Sequence, residues 1–171
     1  GCPQGNQDNR GVQALYSALA PALDLVEART EHEYKQTTAS LKNIGANFSS
    51  SCGFALPEFI AHLKKATTAA NIPADVMLAI MTQESRGKCW AINSEKDTSQ
   101  SRGLFQINTH SSGVPACTKN QRNVLRALGM SRIAAGEGPQ CLDNPAVNLR
   151  EAMRIVAQKY KTLTSKTVNV T

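Results

Sequence analysis

A mainly α-helical single domain is predicted by two features of this chain. Apolar residues recur at intervals of three and four along nearly all of it, the period of a helix with one buried face. Pro or a polar cap opens several of these stretches, and Gly or Asn closes them. A length of 171 residues with 41% hydrophobic content suits one core of ordinary size, without repeats or low-complexity tracts.

The elements follow in order. Val12 to Ala28 carries a stripe of Val12, Leu15, Tyr16, Leu19, Leu23 and Val26, with a kink expected at Pro21. Glu31 to Phe48 is a weaker helical stretch, and residues 1–50 together read as an N-terminal helical extension packed on the core. Pro57 to Asn71 presents Phe59, Ile60, Leu63 and Ala66 on one face. Pro73 to Arg86 follows at once, with Pro73 in the first helical position, Asp75 in the first turn and Gly87 just past the end. Short strands fit between Cys89 and Asn108. Asn120 to Met130 and Pro145 to Leu163 are the remaining helices. Asn144 caps the last one, and Ala146, Leu149, Met153, Val156 and Tyr160 face inward.

Charge and cysteine usage narrow the function. The net charge of +6 favours an anionic polymer as partner, either a bacterial wall or nucleic acid. Basic residues are scattered and aromatics make up 5% of the chain, so no stacking platform for single strands is expected, and nucleic acid is not an expected partner. No run approaches the ~20 apolar residues of a membrane span. Cys2, Cys52, Cys89, Cys117 and Cys141 include no Cys-x-x-Cys pair. His32, His62 and His110 are isolated, and His32-Glu33-Tyr34-Lys35 lacks the second His of a zinc-protease helix. Disulfides in a secreted or periplasmic protein are therefore expected rather than a metal, and no cofactor is expected.

Glu84 is the candidate acid. Met77, Ile80 and Glu84 recur at i, i+3 and i+7, so the carboxylate shares a face with core residues. Desolvation and the negative end of the helix dipole both favour its neutral form. A carboxyl group kept protonated near neutral pH is what a general acid needs. Thirteen positions later Asp97 lies in the polar loop Ser94 to Arg102, where it should stay ionised. Two carboxyls in opposite environments suit acid and base roles on one substrate. Gly103 permits close backbone approach at the mouth of a site, and Gln106 and Asn108 offer amide donors and acceptors to a sugar.

The segment Ile80-Met-Thr-Gln-Glu84-Ser85, followed by Gly103-Leu-Phe-Gln106-Ile, resembles the Glu-Ser and Gly-Leu-Met-Gln motifs of goose-type lysozymes and soluble lytic transglycosylases. Asn144-Pro145-Ala-Val-Asn148-Leu resembles their later Asn-Pro-x-x-Asn helix start. The resemblance covers roughly residues 55–163, the catalytic core. It implies a lysozyme-like fold, a helical core with a small β-ribbon beside an active-site groove. It also implies a monomeric enzyme acting on peptidoglycan glycan strands, cleaving the β-1,4 bond between N-acetylmuramic acid and N-acetylglucosamine. Glu84 falls on the family's acid. Asp97 falls on an Asp that goose-type lysozymes carry six residues before the motif glycine, where lytic transglycosylases tend to have Ser. Asn108 stands where goose-type lysozymes have a second Asp. Ser85, Ser99, Gly103, Gln106, Asn108 and His110 form the expected substrate-binding set.

Two outcomes are implied. With Asp97 directing a water, the reaction is inverting hydrolysis, the favoured expectation because Asp97 holds the lysozyme spacing. With the muramic 6-hydroxyl attacking instead, an anhydro product forms and Asp97 is not needed. The chain departs from the family in lacking its Ala-Tyr-Asn-x-Gly motif, so a wall-binding module with impaired catalysis is a third reading. Goose-type lysozymes pair an N-terminal Cys with one shortly before the core helices, which implies Cys2–Cys52. Cys117–Cys141 would close the insertion 119–140 and leave Cys89 odd. Spacing also allows Cys89–Cys117 or Cys89–Cys141.

Overall fold

The structure, a computed structural model, describes residues 43–164, with side chains to residue 159. The expected helix over 12–28, the first part of that over 31–48, the packing of the N-terminal extension, Cys2 and the inward placement of Tyr160 lie outside the described residues.

The described chain opens in helix, residues 43–52 (α1). Helix α2 spans Leu56–Ala70 with Pro57 in its first turn, where a missing N–H costs nothing. Phe59 and Leu63 are its fully buried contacts, and Asn71 ends it in the left-handed conformation at φ 57°. Helix α3 spans Ala74–Ser85, one residue later than expected, because Pro73 is itself extended at ψ 130°. Val76, Met77, Ala79, Ile80 and Met81 are buried, so α3 is apolar most of the way round its middle and forms the spine of the core.

Three short antiparallel strands follow: β1 (Ile92–Ser94), β2 (Gln100–Arg102) and β3 (Ile107–Asn108). Ile92 pairs with Arg102, and Arg102 with Ile107. After the single turn α4 (Thr109–Ser112), helix α5 (Lys119–Leu128) opens on a capping box. There Thr118 N–H donates to Gln121 Oε1 at 2.8 Å and Gln121 N–H to Thr118 Oγ1 at 3.1 Å. The single helix expected over 120–130 is interrupted at Gly129, whose φ of 81° a helix cannot include, and a short α6 (Met130–Ala134) follows. Helix α7 (Pro145–Thr164) is capped by Asn144, whose Oδ1 accepts from Ala146 N–H at 2.9 Å. The fold is thus mainly α with one small β-ribbon.

Two sets of contacts hold the parts that build the site. The first fastens the end of α3 to α1. Asn47 donates to Arg86 O at 3.0 Å, Cys89 N–H donates to Ser51 Oγ at 3.0 Å, and Trp90 Nε1 donates to Ser51 O at 2.6 Å. Gly87 turns at φ 81°, and a Cβ there would meet Ile44 O at 2.9 Å, so both conformation and space require glycine. A disulfide joins Cys52 to Cys89, with Cα atoms 5.2 Å apart. This corrects the implied Cys2–Cys52 pairing: α1 ends against the loop that leaves α3, which brings Cys52 and Cys89 within bonding reach. A second disulfide joins Cys117 to Cys141, with Cα atoms 5.0 Å apart.

The second set fastens the β-ribbon to the turn before α7. Arg102 Nε lies 2.9 Å from Asp143 Oδ1, both side chains buried, and Cys117 N–H donates to Asp143 Oδ2 at 2.7 Å. Asn148, with no exposed surface, accepts from Phe105 N–H at 2.8 Å and donates to Arg102 O and Leu142 O, each at 2.9 Å. One side-chain amide therefore satisfies three backbone groups, two in the ribbon and one in the turn before α7.

Candidate active site

Glu84 stands in the last turn of α3, four residues beyond Ile80, on the wall of a groove of about 270 Å³. Helix α7 contributes Ala152, Ile155, Val156 and Lys159 to the lining. Phe105, Gln106, Ile107 and Asn108 come from the ribbon, and Ser111 from α4. Most of this lining is apolar. Glu84 is open to solvent on one side, yet the protein around its carboxyl desolvates it enough to raise its pKa above the usual glutamate value, an effect that the Lys159 ammonium opposes. The environment thus favours the neutral acid, in the direction the helical face suggested.

Asp97 has the opposite setting. It lies in the turn between β1 and β2, beside Thr98 at φ 70°, with its side chain 67% exposed. Its Oδ1 accepts from Ser99 N–H at 3.1 Å and from the Ser99 hydroxyl at 2.5 Å. These hydrogen bonds hold its pKa below the usual aspartate value. His110 Nδ1 is 3.8 Å from Oδ2. Asp97 is not among the residues that line the groove. Its connection to the groove is indirect: Asn108 Nδ2 donates to Ser99 Oγ at 2.8 Å, and Asn108 lines the groove.

The other expected contact residues divide in the same way. Gln106 and Asn108 line the groove. Gln106 is held at φ 51°, with Nε2 donating to Ala91 O at 3.1 Å and to Gly103 O at 3.0 Å, and Oε1 accepting from Asn93 at 2.6 Å. Asn108 Oδ1 caps α4 by accepting from His110 N–H at 2.8 Å and Ser111 N–H at 3.2 Å. Both amides are therefore positioned before any ligand arrives. Ser85 is buried, its hydroxyl donating to Met81 O and accepting from Gly87 N–H, so it secures the end of α3. Ser99 is buried between Asp97 and Asn108. His110 is exposed beside Asp97. At Gly103 (φ 79°) the close neighbour is a side chain of the protein itself: a Cβ there would lie 2.5 Å from Asn148 Nδ2.

Sequence reasoning missed Lys159, Ile155 and Ser111 as groove residues. The helical register held a partial signal for α7, since Ala152, Ile155, Val156 and Lys159 follow the 3–4 spacing of one face. Nothing in the sequence said that this face would meet Glu84.

Comparison with curated proteins and with solved structures yields no match. Comparison with protein families matches residues 62–170, well over half of the chain, to the transglycosylase SLT domain. That span takes in Glu84, the ribbon and α7. With its mainly helical core, its small antiparallel ribbon and a half-exposed glutamate on the groove they line, the chain belongs to the transglycosylase SLT domain family.

Proposed function

We propose that the protein cleaves the β-1,4 bond between N-acetylmuramic acid and N-acetylglucosamine in peptidoglycan as a lytic transglycosylase, with Glu84 serving first as acid and then as base. One observation carries the choice of outcome. Among the described residues Glu84 is the carboxylate on the groove wall, whereas Asp97 is engaged in its own turn and does not line it. Protonated Glu84 would donate its proton to the glycosidic oxygen as the C1–O bond breaks. The resulting carboxylate would take the proton of the muramic 6-hydroxyl as that oxygen bonds to C1. The product is a 1,6-anhydro sugar, no water is consumed, and Glu84 ends protonated. Apolar walls from Ile80, Phe105, Ile107 and Val156 support this sequence by shifting Glu84 toward its neutral form. Gln106, Asn108 and Ser111 offer polar contacts to hydroxyl or acetamido groups. Two disulfides suit an extracytoplasmic protein, and no helix among the described residues is long and apolar enough to cross a membrane.

Hydrolysis is the second reading, supported by the Asp97–Ser99–Asn108 chain that ties the hairpin to the groove. It requires Asp97 and Glu84 to face each other across a water at about 6.5–9.5 Å. Mass spectrometry of muropeptides released from purified walls separates the readings. Anhydro ends are expected. Reducing ends would replace the transglycosylase reading with hydrolysis, and no release at all would leave a wall-binding module.

A further inference from the structure

Lys159 is unaccounted for by the reaction just described. Among the described residues it is the cation of the groove lining, one turn beyond Ile155 and Val156 on α7. Among the described residues, no carboxylate lies within salt-bridge distance of its ammonium. A charge placed against an apolar lining is desolvated in part, and an incoming anion offsets that cost through a charge-assisted hydrogen bond. Lys159 lines the space a ligand would fill.

A glycan strand of alternating N-acetylglucosamine and N-acetylmuramic acid has one feature an ammonium can distinguish. N-acetylglucosamine is neutral, while the muramic unit bears a lactyl ether that ends either in a carboxylate or in a peptide with carboxylates of its own. We propose that Lys159 is a specificity-determining residue that binds a carboxylate on the muramic side of the strand and so seats that sugar beside Glu84. The proposal rests on the glycan-cleaving reading above and deepens it. It also gives the proximity of the two charges a use. Alone, the ammonium holds Glu84 toward its ionised form, against the burial that favours the acid. A bound carboxylate neutralises Lys159 and removes that opposition, so the anionic substrate itself helps to keep the acid protonated.

The test is equilibrium binding to the Glu84→Gln protein, which removes turnover from the measurement. The probes are the stripped tetrasaccharide (GlcNAc–MurNAc)₂ with free lactyl carboxylates, its methyl ester, a peptide-bearing muropeptide, the same muropeptide with its stem carboxylates amidated, and chitotetraose. The stripped carboxylate form is expected to bind about tenfold tighter than its ester, the size of one hydrogen bond to a charged group. Adding Lys159→Met should abolish that difference without weakening chitotetraose, and Lys159→Arg should retain most of it. If only the muropeptide pair is discriminated, and Lys159→Met abolishes that, the carboxylate recognised is in the stem peptide and the proposal stands. Equal binding within both pairs overturns it, and so does an equal loss for every probe in Lys159→Met. Failure of every glycan to bind would overturn the glycan-cleaving reading together with this one.

Discussion

Glu84 and Asp97 are thirteen residues apart in sequence and in contrasting physical settings. Glu84 is carried by a helix whose end is fastened to α1 by a disulfide, by hydrogen bonds from Asn47, Cys89 and Trp90, and by a glycine that fits against Ile44. Its surroundings are apolar and raise its pKa. Asp97 is carried by a hairpin turn whose own serine binds it, in water, with its pKa lowered. The difference teaches that two carboxylates matching one family pattern need not share a task. A rigid, partly dry mounting suits a group that must give and take a proton at a fixed place. A solvated turn suits a charge that organises a loop.

The largest expected effect breaks the comparison at its chemical end. Glu84→Gln should lower wall cleavage by about 10²–10⁴-fold, the usual share of general acid catalysis, with an unchanged circular dichroism spectrum and a melting temperature no lower than the parent's. A variant cleaving at the parent rate would remove Glu84 from the mechanism.

Next is the mounting. Replacing Cys52 and Cys89 by Ser opens a link spanning 37 residues, with an expected cost of about 4 kcal/mol by loop entropy. Chemical denaturation should show that loss, and activity should fall in the remaining folded fraction because the end of α3 is released. The corresponding change at Cys117 and Cys141, spanning 24 residues, should cost about 3.5 kcal/mol and affect activity less, because it does not touch α3. Equal loss of activity in both would mean that the fastening near Glu84 has no special role.

The ribbon has its own mounting in Asn148. Asn148→Ala leaves Phe105 N–H and the carbonyls of Arg102 and Leu142 without that partner, at an expected cost of about 2–3 kcal/mol for the buried groups together. Denaturation measures it. Asn148→Asp, which keeps the acceptor for Phe105 but loses both donors, should recover only part of the loss.

Smaller effects come from pH and from Asp97. Cleavage requires protonated Glu84, so activity should fall as pH rises through a value above the ordinary glutamate range, measured as the basic limb of a pH–rate profile. Stability should carry opposite signatures. A raised Glu84 pKa contributes stability at low pH that is lost as pH rises through it. A lowered Asp97 pKa contributes stability at neutral pH that is lost as pH falls through it. Asp97→Asn should remove only the second signature, leave cleavage within a few-fold of the parent, and leave anhydro ends on the products. A severe loss of cleavage in Asp97→Asn would restore the hydrolytic reading.

Much of this was legible in the sequence because it is local. Apolar spacing, Pro57, Gly87 and the Asn144 cap set the main helices to within a residue or two, and the burial of Met77 and Ile80 set the face that carries Glu84. These signals act over one or two turns, where backbone geometry alone decides which residues are neighbours. What the tertiary structure decided lies across longer separations. Cys52 meets Cys89 because α1 ends beside the exit from α3. Gly103 is required by the amide of Asn148, 45 residues on. Lys159 reaches the groove because one face of α7 lines it, 75 residues from Glu84. No local period encodes such meetings. They follow from which buried faces the whole core brings together, and the chemistry of the groove depends on them as much as on Glu84 itself.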